Sequence, residues 1–177
     1  KLSNGTGEKF GWNRTSVKAA LFISHWQQIL RKGKMELREI MLIEDNPDDG
    51  EVIIRGFREC DPDKNIAWYK TSKEALEILE KGEGHNPQLI ILDLNLPGMD
   101  GRDLLAHIKE SKTLKEIPVV ILTTSIDRND IKHCYNHGAN SYIQKPVNFY
   151  QMKDFCKNIS QYWFQTCVLP ATINFDA

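Results

Sequence analysis

From Arg38 onward the chain alternates between two patterns of apolar residues. In the first, apolar residues stand side by side: Ile40-Met41-Leu42-Ile43 within "REIMLIED" (38–45), Leu89-Ile90-Ile91-Leu92, and Val119-Val120-Ile121-Leu122 within "PVVILT" (118–123). Such runs, bounded by charges or turn residues, predict strands buried on both faces. "NIAWYK" (65–70) and "NSYIQ" (140–144) predict two further strands. In the second pattern apolar residues recur every three or four positions, which predicts amphipathic helices. One is expected over 47–60, with Val52, Ile53, Phe57 and Cys60 apolar, and one over 73–81, with Ala75, Leu76 and Leu79. Others are expected over 102–110, over 127–137, and from Phe149 through Met152, Phe155, Cys156, Ile159 and Trp163. Asn46 and Asn148 stand where they can cap helix starts, Pro47 suits a first turn, and Gly138 suits a left-handed helix end.

Five strands alternating with five helices call for a parallel sheet covered on both faces. The expected fold class is α/β: a flavodoxin-like, doubly wound sheet in the order 2-1-3-4-5. Upstream, residues 1–16 are rich in Gly, Ser, Thr and Asn without periodicity and read as a loose segment. Ala19, Phe22, Ile23, Trp26, Ile29 and Leu30 fall at helical spacing, so a helix is expected over about 16–32. A signal peptide fits poorly there, because Ser24-His25 interrupt the apolar stretch and no small-residue cleavage site follows. The expected organisation is a linker or upstream extension over 1–34, one domain over 35–164 and a tail over 165–177. The start at Lys1 rather than Met points to a fragment, a processed product or an over-long reading frame.

Composition narrows the partners more than the fold. Lys+Arg 23 against Asp+Glu 24 gives a formal net charge of −1, which is no field for nucleic acid or an anionic membrane surface. The stretch after the last helix is too short for a helix-turn-helix domain and is not basic. No apolar run approaches a membrane span. Neither nucleic acid nor membrane is therefore an expected partner. Cys60, Cys134, Cys156 and Cys167 are irregularly spaced with no CxxC pair, which points to a reduced, cytoplasmic chain.

The chemistry gathers where strands end. The third run stops at Asp93, and Pro97-Gly98 and Asp100-Gly101 follow as turn signals. Open α/β sheets bind ligands outside the carboxyl ends of their strands. The first strand ends in Glu44-Asp45, with Asp48-Asp49 in the next turn, and in the order 2-1-3-4-5 it lies beside the third. Carboxylates about 5 Å apart repel by roughly 3 kcal/mol per pair at an effective dielectric of 20. Such a cluster needs a cation, and oxygen ligands with room for water suit Mg²⁺. The fourth strand delivers the hydroxyls of Thr123, Thr124 and Ser125, and the fifth delivers the ammonium of Lys145. Pro146 follows, so the Lys145–Pro146 bond is a candidate cis peptide that would aim Lys145 inward. Carboxylate nucleophile, divalent cation, hydroxyl donor and ammonium together predict phosphoryl transfer, with Asp93 becoming an aspartyl phosphate.

With the motifs "LIEDN" (42–46), "LIILDLNLPGMDG" (89–101), "PVVILTTS" (118–125) and "GANSYIQKP" (138–146), the chain from about Arg38 to Ser160 resembles the receiver domain of bacterial response regulators. The resemblance implies Asp93 as phospho-acceptor. Glu44 and Asp45 would hold Mg²⁺ with Asp93 and the backbone carbonyl of Asn95. Thr123 would be the switch hydroxyl, Lys145 the ion-pair partner of the phosphoryl group, and Tyr142 the aromatic switch. It also implies a protein that catalyses its own phosphorylation and dephosphorylation without being a conventional enzyme. Its donor would be a sensor histidine kinase or a histidine phosphotransfer protein. "IEDNPDD" (43–49), the "LTTS" run and a last helix ending in "YWF" (162–164) are similar to small stand-alone regulators that partner phytochrome-type kinases. The tail "QTCVLPATINFDA" (165–177) matches theirs only loosely. Output would pass through protein contact, including a homodimer, on the face of the fourth helix, fifth strand and fifth helix.

Rival readings account for less. The chain could be the receiver end of a larger hybrid kinase, with 1–34 as linker. A haloacid-dehalogenase-type phosphatase also uses an Asp nucleophile after a strand, but it wants a second acid two positions on, where Asn95 stands. An FMN binder needs a Gly- and hydroxyl-rich first loop, whereas "EDNPDDG" (44–50) is acidic. A binding module that no longer accepts phosphate is disfavoured because no site residue is missing. His133 and His137 have zinc-compatible spacing without an evident third ligand, and a solvated helix face is the simpler expectation.

Overall fold

The structure is a computed structural model, which describes residues 40–81 and 86–170. The helix expected over 16–32 lies outside the described residues. Five parallel strands form one sheet: β1 (Ile40–Ile43), β2 (Ile66–Tyr69), β3 (Leu89–Leu92), β4 (Val119–Thr123) and β5 (Ser141–Gln144). Their order is β2-β1-β3-β4-β5, as the alternating patterns require. Five helices connect and follow them: α1 (Pro47–Cys60), α2 (Ser72–Lys81), α3 (Gly101–Glu110), α4 (Arg128–Asn136) and α5 (Phe149–Ser160).

Strand periodicity divides the apolar runs between two cores. Met41, Ile43, Ile90, Leu92, Val119 and Ile121 point to one face, where Ala75 and Leu79 of α2, Leu104, Leu105 and Ile108 of α3 and Cys134 of α4 cover them. Ile40, Leu42, Leu89, Ile91, Val120 and Leu122 point to the other, against Ile53 and Phe57 of α1 and Met152, Phe155, Cys156 and Ile159 of α5. The three central strands are buried throughout, which explains why they read as unbroken apolar runs, while β2 and β5 lie at the edges and are only partly covered. At the β5 edge the Tyr142 amide donates to the hydroxyl of Tyr135 on α4 (3.2 Å).

Helix starts follow the punctuation. Asn46 accepts from the amides of Asp48 and Asp49, Asp100 from Arg102, Asp127 from Asn129, and Asn148 from Gln151. The last helix ends as a regular α-helix at Ser160 and widens into a π-type turn over Gln161–Thr166. Trp163 packs into the second core with Leu169, so chain beyond residue 164 contributes to the fold. The four cysteines are free thiols. Among the described residues no helix is long and apolar enough to cross a membrane.

Candidate functional site

Register brings the site together. Ile43 pairs with Leu92, and the Asp93 amide donates to the Ile43 carbonyl (3.0 Å), so Glu44 and Asp93 leave adjacent strands at the same level. The Lys145 amide donates to the Thr123 carbonyl (2.8 Å), which extends the β4–β5 ladder by one residue. Gly101 lets α3 begin close behind β3, because a Cβ there would fall 2.2 Å from the Asp93 carbonyl oxygen.

Glu44, Asp45 and Asp93 each offer a carboxylate oxygen, and these oxygens lie within 4.8 Å of one another. They form the only group of three metal-capable side chains found among the described residues. Glu44 and Asp93 are buried, and Asp45 is the least covered of the three. The Asn95 amide donates to Asp93 Oδ1 (3.3 Å), which brings that residue's backbone to the site while its side chain is exposed. A donor set made of three carboxylates fits a hard divalent cation.

Lys145 is the charge at the centre. Its Nζ lies 2.7 Å from Asp93 Oδ2, 2.8 Å from Glu44 Oε2 and 2.8 Å from Asp49 Oδ2. Burial works against its charge, but the three carboxylates outweigh that and hold its pKa above the ordinary lysine value. Burial pushes the Glu44 carboxyl up to about 7 against the pull of Lys145, and the Asp93 charge adds to the rise.

The remaining predicted residues take separate places. Thr123 is fully buried at the end of β4, its hydroxyl accepting from the Ser125 amide (3.4 Å), while Thr124 is exposed on the rim. Tyr142 is half-buried, its hydroxyl donating to the Ser125 carbonyl (3.1 Å). The Lys145–Pro146 bond is trans, since no cis peptide occurs among the described residues; this corrects the expectation at Pro146. Lys145 turns inward because the extended ladder fixes its backbone and three carboxylates hold its ammonium. His133 and His137 stack with ring centroids 4.1 Å apart, and His137 Nδ1 lies against the His133 carbonyl of the same helix.

Three parts of the site were not assigned from sequence. Asp49 reads in the sequence only as an acid of the next turn; its spacing of four from Asp45, across a helix start, is the one signal that marks it. Trp68 donates its indole N–H to the Glu44 carbonyl (2.7 Å), a contact that follows from the pairing of Leu42 with Trp68 and leaves no local trace. Arg102 grips both oxygens of Asp130 (2.8 Å each), and Asp130 accepts from the Ser125 hydroxyl (2.6 Å), which ties α3 to the β4–α4 loop.

Comparison with known proteins agrees with this geometry. The family profile described as response regulator receiver domain matches residues 40–157. The "Probable methanogenesis regulatory protein FilR2" of Methanothrix harundinacea is 39% identical over 127 residues, 70% of this chain and 82% of that protein. Response regulator Rcp1 of Synechocystis sp. is 36% identical over 136 residues, 75% of this chain and 92% of Rcp1. A crystal structure of Mn²⁺-bound Rcp1 superposes with a TM-score of 0.68 at 33% identity, covering 74% of this chain and 97% of that one. The phosphorylated cyanobacterial phytochrome response regulator RcpA superposes with a TM-score of 0.70 at 41% identity, covering 75% of this chain and 98% of RcpA. A doubly wound sheet with these acids at its carboxyl edge, matched over most of its length by regulators of this kind, belongs to the response regulator receiver-domain family of two-component systems.

Proposed function

We propose that this receiver accepts a phosphoryl group on Asp93 from the phosphohistidine of a sensor kinase or a histidine phosphotransfer protein, and signals by protein contact. The observation that carries the reading is Asp93 itself. It is buried at the end of a central strand, with the Lys145 ammonium on one oxygen and two further carboxylates beside it. An Asp93 carboxylate oxygen would attack phosphorus as the P–N bond to the donor breaks, and the leaving imidazole keeps the electron pair and takes up a proton. Glu44, Asp45, Asp93 and the Asn95 carbonyl would hold Mg²⁺, which offsets the charge of acids and phosphoryl oxygens. The all-oxygen donor set supports that ion, and the Mn²⁺ form of Rcp1 supports a divalent cation in a related pocket. Lys145 would meet a phosphoryl oxygen, with Thr123 and Thr124 supplying hydroxyls from the neighbouring strand end.

Phosphorylation would shift an existing equilibrium between two shapes of the β4–α4 loop and β5, in which Thr123 and Tyr142 move together. Ser125 lies between them, bonded to both. The exposed surface of α4, β5 and α5, including Tyr135 and Tyr150, would carry output to a partner or a second copy. A phytochrome-type kinase is supported by the likeness to RcpA, whereas FilR2 is named for another process. The test is incubation with Mg²⁺ and acetyl phosphate followed by intact mass, beside Asp93→Asn and an EDTA control. One phosphate adduct, absent in both controls, is the expected result. No adduct under conditions that label a known receiver would reject phospho-acceptance.

A further inference from the structure

We infer that Asp49 is a positioning residue for Lys145, the partner that keeps the ammonium in place when its other two partners are engaged elsewhere. The inference rests on the phospho-acceptor reading and deepens it. An ammonium has three N–H donors, and here it donates to Asp93 (2.7 Å) and Asp49 (2.8 Å) while Glu44 Oε2 lies 2.8 Å away as a third ion-pair partner. Glu44 and Asp93 also belong to the trio whose oxygens could share a cation; Asp49 does not. A carboxylate turned to a cation has less to offer an ammonium, and a phosphorylated Asp93 has given one oxygen to phosphorus. Asp49 is claimed by neither event.

Its place is fixed by α1. Asn46 accepts from the Asp49 amide (3.4 Å), and Pro47 opens the helix. Gly50, the next residue, lies so close to Trp68 that a Cβ would fall 2.2 Å from the indole ring, and that indole is bound to the Glu44 carbonyl. The backbone carrying Asp49 is thus tied to the same strand end as Glu44. The Asp49 side chain remains 38% exposed while that of Lys145 is 6% exposed, so Asp49 is the solvent-side partner. It holds Nζ from the solvent side of the pocket.

The test is a double-mutant cycle on the full chain: wild type, Asp49→Ala, Lys145→Ala and the double variant, with Asp49→Asn alongside. Phosphorylation is followed by intact mass at saturating acetyl phosphate and Mg²⁺. Asp49→Ala is expected to slow the reaction about tenfold, less than the roughly hundredfold that a 1 Å misplacement of a reacting group can cost. Asp49→Asn, whose amide oxygen still accepts from an ammonium, should recover part of the rate, and Asp49→Ala should have no effect in the Lys145→Ala background. An equal loss in that background would mean that Asp49 acts on its helix rather than on Lys145, and would overturn the proposal. Faster phosphorylation, as when Asp49 only repels the anionic donor, would overturn it too. A metal-free reading comes from ¹⁵N-detected exchange of the Lys145 ammonium, whose slowly exchanging signal should be lost in Asp49→Ala; an unchanged signal overturns the proposal. If wild type takes up no phosphoryl group, the phospho-acceptor reading fails, and the ammonium signal alone decides the role of Asp49.

Discussion

Arg102 and Lys145 both stand at the carboxyl edge of the sheet among acids, yet their surroundings are built for different ends. Arg102 sits between Asp100 and Asp130, gripping the second with a two-pronged contact on a partly exposed surface. Asp130 and, beyond it, Asp100 hold the guanidinium pKa above its ordinary value, and Arg102 in turn holds Asp130 below its own. Each charge there favours the other. Lys145 is buried and faces three carboxylates, with Asp45 close by, so one cation serves four acids. Burial raises Glu44 to about 7 despite Lys145, and the Asp93 charge adds to the rise. A clamp is complete as it stands, whereas a pocket short of positive charge is poised to take a cation.

The largest expected effect separates the two at once. Asp93→Asn should abolish phosphoryl uptake, while Asp130→Asn should leave one adduct per chain, both read by intact mass. Next comes Lys145→Ala, which strands buried carboxylates and should cost about 3–5 kcal/mol in urea unfolding without metal. Mg²⁺ should recover much of that loss, because it supplies the missing charge.

A smaller effect tests the titration of Glu44. Its folded pKa of about 7 lies above the ordinary 4.5, so the folded chain binds the extra proton between those values. Metal-free stability should therefore fall as pH rises from about 4.5 to 7 and level off above it. Mg²⁺ competes with the same proton, so its affinity, followed by titration calorimetry, should drop about tenfold per pH unit below 7. Asp130→Ala should be mildest, costing about 1–2 kcal/mol for a charge-assisted contact and showing no dependence on Mg²⁺. The folded pKa of Asp130 is lowered, so its contribution is present above the ordinary carboxylate range and disappears only as pH falls below it.

The sequence carried the fold because its rules are local. Continuous runs at 40–43, 89–92 and 119–122, short and bounded by charges or turns, read as buried strands, and Asn46 and Asn148 mark helix starts that the structure uses. Glu44, Asp93 and Lys145 are legible for a related reason: each is the first residue after a strand. What stayed hidden depends on register between distant segments. Trp68 reaches Glu44 only through the β1–β2 pairing, and Arg102 finds Asp130 across the gap between α3 and α4. Pro146 shows the opposite failing, a real local tendency that the ladder between β4 and β5 leaves unused.

The Tyr135 hydroxyl at the rim of β5 has a bearing on how this protein can assemble. An edge strand offers free backbone groups to any passing extended chain, the usual route to fibrils and swapped strands. Here the Tyr142 amide is already occupied by that hydroxyl. A foreign strand would have to dislodge Tyr135 before it could add to the sheet, so association on this side is steered toward contacts between side chains and away from runaway strand addition.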